Sequence, residues 1–146
     1  MSDAEPTPSG APLHYRVSGA ATRGGGAHLE LAQRRVELDA AWNAPASGDP
    51  GPADLLGGAF AACLLKNLAR AGELLGFSYE SAELEVVLRR QEAPPRFTHI
   101  DYTMRIVTDE PERRLELLHT NLRKFGTVYN TLAAVCEVTG TVTRAG

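Results

Sequence analysis

The sequence predicts an α+β protein, built from antiparallel sheets and two long helices. Three observations carry this prediction: strand and helix patterns in the order β-β-β-α-β-β-α-β, strands with one polar face, and one helix that is almost wholly apolar. The chain has 146 residues, which suits a single domain with its own core. We expect residues 13–146 to form that domain. Residues 1–12, with three prolines, are predicted to be a disordered tail.

The composition argues against several classes of function. The formal net charge is -3, so nothing favours a nucleic-acid partner. No apolar run reaches the roughly 18 residues that span a bilayer, and the first residues lack the pattern of a secretory signal. We therefore expect a cytoplasmic protein without a membrane partner. The four histidines and two cysteines show no metal-ligand spacing, so neither a metal nor a cofactor is expected.

The pattern of the N-terminal third predicts short strands joined by turns. Residues 13–18 alternate between apolar and polar, which predicts a half-buried strand. A glycine-rich turn follows at 22–26, and two more strands are predicted near 27–32 and 35–40. Three prolines and two glycines make residues 43–52 a loop.

A long helix is the most informative element. Pro52 suits the first helical turn, and Asp54 suits the positive end of the helix dipole. Residues 55–65 are then almost entirely apolar, which is typical of a central, buried helix. The helix becomes amphipathic at Lys66 and should end near Gly76.

This helix also predicts a homodimer. Gly57 and Gly58 lie inside it, and each should cost about 1 kcal/mol relative to alanine. Such small residues are expected where another helix approaches closely. A small domain offers little to cover every side of an apolar helix, so a partner subunit should supply part of the cover.

The second half predicts two strands, a helix and a last strand. Apolar and polar residues alternate along both strands, which predicts antiparallel-type strands with one face toward water. The apolar faces are Ala82, Leu84, Val86 and Leu88 on the first strand and Ile100, Tyr102, Met104 and Ile106 on the second. Asp109 and Glu112 have the spacing of a capping box at a helix start. Gly126 should end that helix. Its apolar face is Leu115, Leu118, Leu122 and Phe125, and the last strand, 135–143, turns Cys136, Val138 and Val142 to one side.

Cys63 is the candidate for chemistry. On the long helix it stands between apolar neighbours such as Phe60 and basic ones, Lys66 and Arg70. Nearby positive charge favours the thiolate, which is the nucleophilic form of cysteine. The alternative is that Cys63 only fills space in the core, as many free cysteines do.

Three segments resemble signatures of one family. Residues 51–63, Gly-Pro-Ala-Asp-Leu-Leu-Gly-Gly-Ala-Phe-Ala-Ala-Cys, look like the signature that leads to the cysteine of the OsmC/Ohr hydroperoxide reductases. Residues 95–100, Pro-Arg-Phe-Thr-His-Ile, resemble the start of the second long strand in that family. Residues 128–132, Val-Tyr-Asn-Thr-Leu, are similar to part of its Cys-Pro-Val-Ser-Asn-Thr-Leu. The matches follow the family order and cover roughly residues 30–143.

The resemblance implies a fold and an activity. It implies an OsmC-like fold, an intertwined homodimer with central buried helices, and active sites at the subunit interface. It makes Cys63 the peroxidatic cysteine, whose thiolate attacks an organic hydroperoxide or hydrogen peroxide and becomes a sulfenic acid. In the family a second cysteine closes a disulfide and a dithiol reductant resets the site.

This sequence departs from the family at the resolving cysteine. Gly126 occupies that position, and the proline that should follow it is also missing. The resemblance therefore implies a one-cysteine reaction in which an external thiol or dithiol reduces Cys63. Cys136, the other thiol, is either a substitute resolving cysteine or a buried apolar residue; we favour the second interpretation.

Other site residues follow from the resemblance with alternatives open. Asp54 would hold an arginine in a two-pronged ion pair, or it serves only as an acid at the helix N-terminus. Arg23 in the glycine-rich turn is preferred to Arg16 as the arginine that steadies the thiolate, although both could be solvated surface charges. Pocket residues are expected to be Phe60, Phe125 and Tyr129, which would equally suit a core.

Two functions are thus predicted. The first is thiol-dependent reduction of hydroperoxides through Cys63, a role in oxidative stress defence. The second is binding of small apolar or oxidised molecules by a protein of the same fold that does not reduce peroxides.

Overall fold

The computed structural model describes residues 12–145, in two compact units that divide at Pro52 and Ala53. Apart from Pro12, the predicted disordered tail lies outside the described residues. The organisation of residues 13–146 as one domain stays a prediction, and the two units are described separately below.

The first unit is a three-stranded antiparallel meander. Its strands are β1 (Val17–Ala21), β2 (Ala27–Leu31) and β3 (Arg34–Leu38), in the order β1-β2-β3. The first strand begins later than predicted, and Leu13, Tyr15 and Val17, expected to face inward, are all exposed. Alternation predicts a buried face only where a second layer covers the sheet, and residues 12–51 form no helix that could supply one.

The second unit contains a mixed sheet and the helices. Its sheet has the order β4-β5-β6, so β5 is the central strand. The predicted α+β class is confirmed. The elements are α1 (Pro52–Leu74), β4 (Ser81–Glu92), β5 (Pro95–Val107), α2 (Glu112–Phe125), α3 (Thr127–Ala133) and β6 (Glu137–Arg144).

One strand pair differs from the prediction of antiparallel sheets. β4 and β5 pair antiparallel through a tight hairpin, but β6 pairs parallel to β5, with Ile100 opposite Val138. The reason is the crossover: two helices carry the chain from one end of β5 back to the other. The second of these, α3, has no counterpart among the predicted elements.

The core lies between this sheet and the helices. Alternate residues of β5 are buried as predicted, and they pack against buried faces of α1 and α2. Fully buried side chains there are Phe60, Leu64, Ile100, Met104, Ile106, Leu115, Leu118 and Leu122. Phe125 is the exception on the predicted face of α2, because it is 44% exposed.

Helix α1 is buried on one face only within the described chain. Phe60, Leu64, Leu68 and Ala71 are buried, whereas Leu65 on the far side is 44% exposed. An apolar surface therefore remains uncovered in the single chain. Among the described residues, no helix has the length and apolar content needed to cross a membrane.

The two glycines of α1 have different surroundings. A β-carbon at Gly57 would lie 2.7 Å from Cδ1 of Leu88, so the glycine admits a side chain of β4. A β-carbon at Gly58 would meet nothing within 4 Å. Within the described chain, the close approach at Gly57 is made by a side chain of β4, and the approach of a partner's helix stays a prediction.

The start of α2 corrects the predicted capping box. The helix begins at Glu112 after Pro111, with no side-chain cap. Arg114, in the first turn of α2, is partly buried: its Nε donates to Glu110 at 2.7 Å and its Nη2 donates to the carbonyl of Leu75 at 2.7 Å. It thereby ties the start of α2 to a carbonyl at the end of α1.

Candidate functional site

Cys63 lies at the edge of the buried face of α1, and its thiol is partly buried. One turn further on, the side-chain amide of Asn67 donates to the carbonyl of Cys63 at 2.8 Å and lies 3.6 Å from its sulfur. An N–H group directed at a sulfur stabilises the thiolate. Asn67 received no role from sequence reasoning, although its position four residues after the cysteine places both on one side of the helix.

Gly126, between α2 and α3, packs against the Cys63 thiol. A β-carbon at Gly126 would lie 3.1 Å from the Cys63 sulfur and 2.8 Å from Cβ of Tyr129. The backbone there is extended, with φ −78° and ψ 115°, so close approach rather than a special conformation favours glycine. Gly126, which the resemblance predicts at the resolving position, is therefore next to the predicted peroxidatic sulfur.

An aromatic cluster, Phe60, Tyr102, His119 and Tyr129, lies beside this junction. Phe60 stacks on Tyr129 with ring centroids 5.5 Å apart, and Tyr102 meets both rings at about 6 Å. The Tyr102 hydroxyl and His119 Nε2 share a hydrogen bond of 2.6 Å. The cluster links α1, β5, α2 and α3 and so holds the junction against α1.

The hydrogen-bonded pair of Tyr102 and His119 is neutral near pH 7, because both pKa values are shifted away from neutrality. Burial, aided by Tyr129, raises the pKa of Tyr102. Burial lowers the pKa of His119, and the positive charge of Arg123 lowers it further.

This pair predicts a loss of stability in mild acid. Because the pKa of His119 is lower in the folded chain than in the unfolded one, the unfolded state binds more protons below about pH 6.5. The free energy of unfolding should therefore fall as the pH drops through that value and level off below the folded-state pKa. Urea unfolding from pH 7.5 to pH 5 measures this.

His119→Gln supplies the matched comparison for this pH effect. The variant should have a lower free energy of unfolding than the wild type at pH 7.5. This difference in free energy should become smaller toward pH 5. An unchanged difference across that range would contradict the prediction.

The predicted pocket residues occupy different environments. Phe60 is fully buried and Tyr129 nearly so, whereas Phe125 is at the surface beneath Arg70, whose Cζ lies 4.5 Å from the ring centroid. Phe60 and Tyr129 thus belong to the buried core, which was the alternative to a pocket in the sequence analysis. A substrate-binding role for all three stays a prediction.

A groove of about 420 Å³ lies along the N-terminal half of α1. Asp54 is exposed there in the first turn of the helix, and Cys63 is not among the lining residues. The proposed ion pair of Asp54 with an arginine stays a prediction. The groove is lined by Ala53, Asp54, Gly57, Gly58, Ala61, Val86, Leu88 and Phe97.

Cys136 lies just before β6 and is a free thiol, as is Cys63. Its sulfur donates to the carbonyl of Phe97 at 3.4 Å, and it packs against the buried core. This environment is typical of a buried apolar cysteine. Neither interpretation of Cys136 is tested by these contacts.

The arginine candidates belong to the first unit. Arg23 lies in the turn between β1 and β2, and Arg16 immediately precedes β1. Their predicted role beside the thiolate stays a prediction. Among residues 12–145, no group of three or more histidine, cysteine, aspartate or glutamate side chains could hold a metal ion.

Comparison with known proteins identifies the family. The family model described as OsmC-like protein matches residues 44–140, about two thirds of the chain. The chain belongs to the OsmC-like protein family. A sequence comparison with curated proteins gives no match.

Solved structures of OsmC-like proteins share the fold. The OsmC-like protein of Mycoplasma pneumoniae superposes with a TM-score of 0.81 at 17% identity, covering 91% of this chain and 98% of that one. An organic hydroperoxide resistance protein OsmC from Legionella pneumophila gives 0.70 at 17% identity, covering 88% and 97%. The organic hydroperoxide resistance protein OhrB of Bacillus subtilis gives 0.60 at 19% identity, covering 87% and 96%. The predicted resemblance and the OsmC-like fold are confirmed.

Proposed function

We propose that this protein reduces organic hydroperoxides or hydrogen peroxide in the cytoplasm through Cys63, in a one-cysteine reaction. The observation that carries the proposal is the setting of the thiol: a partly buried sulfur with the Asn67 amide 3.6 Å away and no thiol at the adjacent position 126. Two of the structures with this fold are named organic hydroperoxide resistance proteins, which supports the class of substrate.

The chemistry needs only the sulfur and the peroxide. The Cys63 thiolate attacks the terminal oxygen of the hydroperoxide, the O–O bond breaks, and the departing alkoxide takes a proton to become an alcohol. The sulfur is oxidised to a sulfenic acid and the peroxide is reduced. Asn67 can donate a hydrogen bond to the sulfur before and during attack.

The second half of the cycle requires an external thiol. Gly126 offers no sulfur, so the sulfenic acid of Cys63 persists until a thiol from solution attacks it. A thiol or dithiol reductant then returns the cysteine to the reduced state with release of water.

We also propose a homodimer. The face of α1 opposite the core carries Ala59, Ala62, Leu65 and Ala69, all exposed in the single chain. Covering such an apolar stripe with a second copy of the helix would remove it from water. A monomeric mass in sedimentation at micromolar concentration would contradict this.

The groove favours a second candidate function. It is lined by Val86, Leu88 and Phe97 yet excludes Cys63, so it suits a small apolar ligand independently of the thiol. In that case the protein binds oxidised or apolar molecules without turnover.

Sulfenic acid formation separates the two candidates. Reduced protein is mixed with one equivalent of cumene hydroperoxide or hydrogen peroxide, and dimedone-labelled peptides are mapped by mass spectrometry. We expect peroxide loss in step with labelling of Cys63. Saturable binding of cumene hydroperoxide without labelling would favour the binding protein. A Cys63–Cys136 disulfide on the non-reducing map would instead make Cys136 the resolving cysteine.

A further inference from the structure

A cationic cluster on α1 and at the end of α2 includes two charges that lie against an exposed aromatic ring. We define it as Lys66, Arg70 and Lys124. Arg70 lies over the ring of Phe125, with Cζ 4.5 Å from its centroid, and Nζ of Lys124 is 5.3 Å from the same centroid. Phe125 is 44% exposed, which is unusual for a ring on the otherwise buried face of α2.

The cluster continues directly from Cys63. Phe125 precedes Gly126, the residue whose β-carbon position is 3.1 Å from the sulfur. Lys66 and Arg70 follow the cysteine by three and seven residues on α1, so they lie along the same edge of the helix. At 1.5 Å per residue their backbone is displaced about 4.5 and 10 Å along the axis. Lys66 and Arg70 therefore lie on the side of α1 that carries the thiol.

None of the three cations forms an ion pair within residues 12–145, although Arg114 and Arg89 elsewhere in this unit do. The polar partner of Arg70 is the neutral amide of Asn121, whose Oδ1 lies 3.3 Å from Nη1. Uncompensated charge of one sign attracts ions of the other sign and raises their local concentration.

We propose that the reductant of oxidised Cys63 is a small thiol that carries a carboxylate, bound by the cationic cluster with its methylene groups on Phe125. This inference rests on the proposed function and specifies its second half. The incoming sulfur attacks the Cys63 sulfenic acid, the S–O bond breaks, and hydroxide leaves with the thiol proton as water, giving a mixed disulfide. A second thiol attacks this disulfide, is itself oxidised, and releases reduced Cys63.

The test follows the second half-reaction by itself. Cys63 is first oxidised with one equivalent of hydrogen peroxide, and stopped-flow measurements then follow its reaction with three test thiols: 3-mercaptopropionate (anionic), 2-mercaptoethanol (neutral) and cysteamine (cationic). Each is measured with wild type, Arg70→Gln and Lys124→Gln. For each thiol, we divide the rate constant of the wild type by that of the variant, so that the intrinsic reactivity of the thiol cancels.

Arg113→Gln is the matched control. It removes the same charge from the exposed side of α2, at the opposite end of the helix from Lys124. The two positions are about 16 Å apart along the axis, which exceeds the Debye length of about 8–10 Å. We expect Arg70→Gln and Lys124→Gln to slow 3-mercaptopropionate about threefold to tenfold, with little change for 2-mercaptoethanol and none of this loss for cysteamine. Arg113→Gln should change none of the three.

Salt provides a second measurement that needs no variant. Raising NaCl to about 0.5 M should slow 3-mercaptopropionate and leave 2-mercaptoethanol nearly unchanged, since salt screens exposed charges. Equal slowing of all three thiols, equal effects of Arg113→Gln and Arg70→Gln, or no salt dependence would overturn the inference. Absence of the sulfenic acid in the first step would instead overturn the proposed function.

Discussion

Replacing Cys63 with serine is expected to lower the rate of peroxide reduction by at least about a thousandfold. A serine hydroxyl is nearly isosteric but stays protonated at neutral pH, so it offers no anionic nucleophile, and the Asn67 amide has no thiolate to stabilise. The measurement is loss of cumene hydroperoxide with excess 2-mercaptoethanol, corrected for the reaction without protein.

Cys136→Ser is the matched control for this loss. Cys136 donates to the carbonyl of Phe97, a bond that a serine hydroxyl can also make, so the fold should tolerate the change. We expect that variant to keep most of the wild-type rate when excess thiol is present. Retention of more than a tenth of the rate by Cys63→Ser would contradict the assignment of Cys63.

Introducing a thiol by Gly126→Cys is expected to convert the reaction into a two-cysteine cycle. Two bonds separate a β-carbon from the far sulfur of a disulfide, a distance of about 3 Å when the S–S bond is about 2.05 Å long. The β-carbon position at Gly126 is 3.1 Å from the Cys63 sulfur. After one equivalent of peroxide, a non-reducing peptide map should show residues 63 and 126 joined, with little dimedone labelling.

The new disulfide should also stabilise the oxidised variant. The disulfide closes a loop of about 60 residues and so restricts the unfolded chain. This should raise the free energy of unfolding of the oxidised variant by about 2–4 kcal/mol relative to its reduced form. The reduced variant should be less stable than wild type by about 1–3 kcal/mol, because its β-carbon lies only 2.8 Å from Cβ of Tyr129. Urea unfolding in the presence and absence of a reductant measures both effects.

Gly126→Ser is the control for this substitution. It adds the same β-carbon without a thiol, so it should share the loss of stability and form no disulfide. Joining of the introduced thiol to Cys136 rather than Cys63, or persistence of the sulfenic acid in Gly126→Cys, would contradict the proposed geometry.

The position of Gly126 gives the one-cysteine proposal a structural basis. The α2–α3 junction still approaches the sulfur as closely as a resolving residue must, and the aromatic cluster holds it there through the stacking of Phe60 on Tyr129. The missing group is a single side chain. An external thiol would therefore react beside Phe125, at the surface where the cationic cluster lies.

Some of this arrangement was predictable and some was not. The apolar run on α1, the alternation in β5 and the leucine spacing on α2 are local patterns, and each predicted element exists. The parallel pairing of β6, the contact of Leu88 with Gly57 and the exposure of Phe125 depend on residues far apart in sequence. Periodicity describes which side of an element is apolar, but it does not say what covers that side.

The amino-acid sequence by itself determined the α+β class, the family and the place of Cys63 on a long apolar helix. It also predicted, through the resemblance, that Gly126 occupies the position of the family's resolving cysteine. Only the tertiary structure decided that Gly126 lies against the sulfur and that Asn67 donates to it. The same is true of the contacts that Arg70 and Lys124 make with the exposed ring of Phe125. The physical reason is range: helix and strand patterns arise from neighbours along the chain, whereas the surroundings of a thiol arise from packing between elements that the sequence keeps apart.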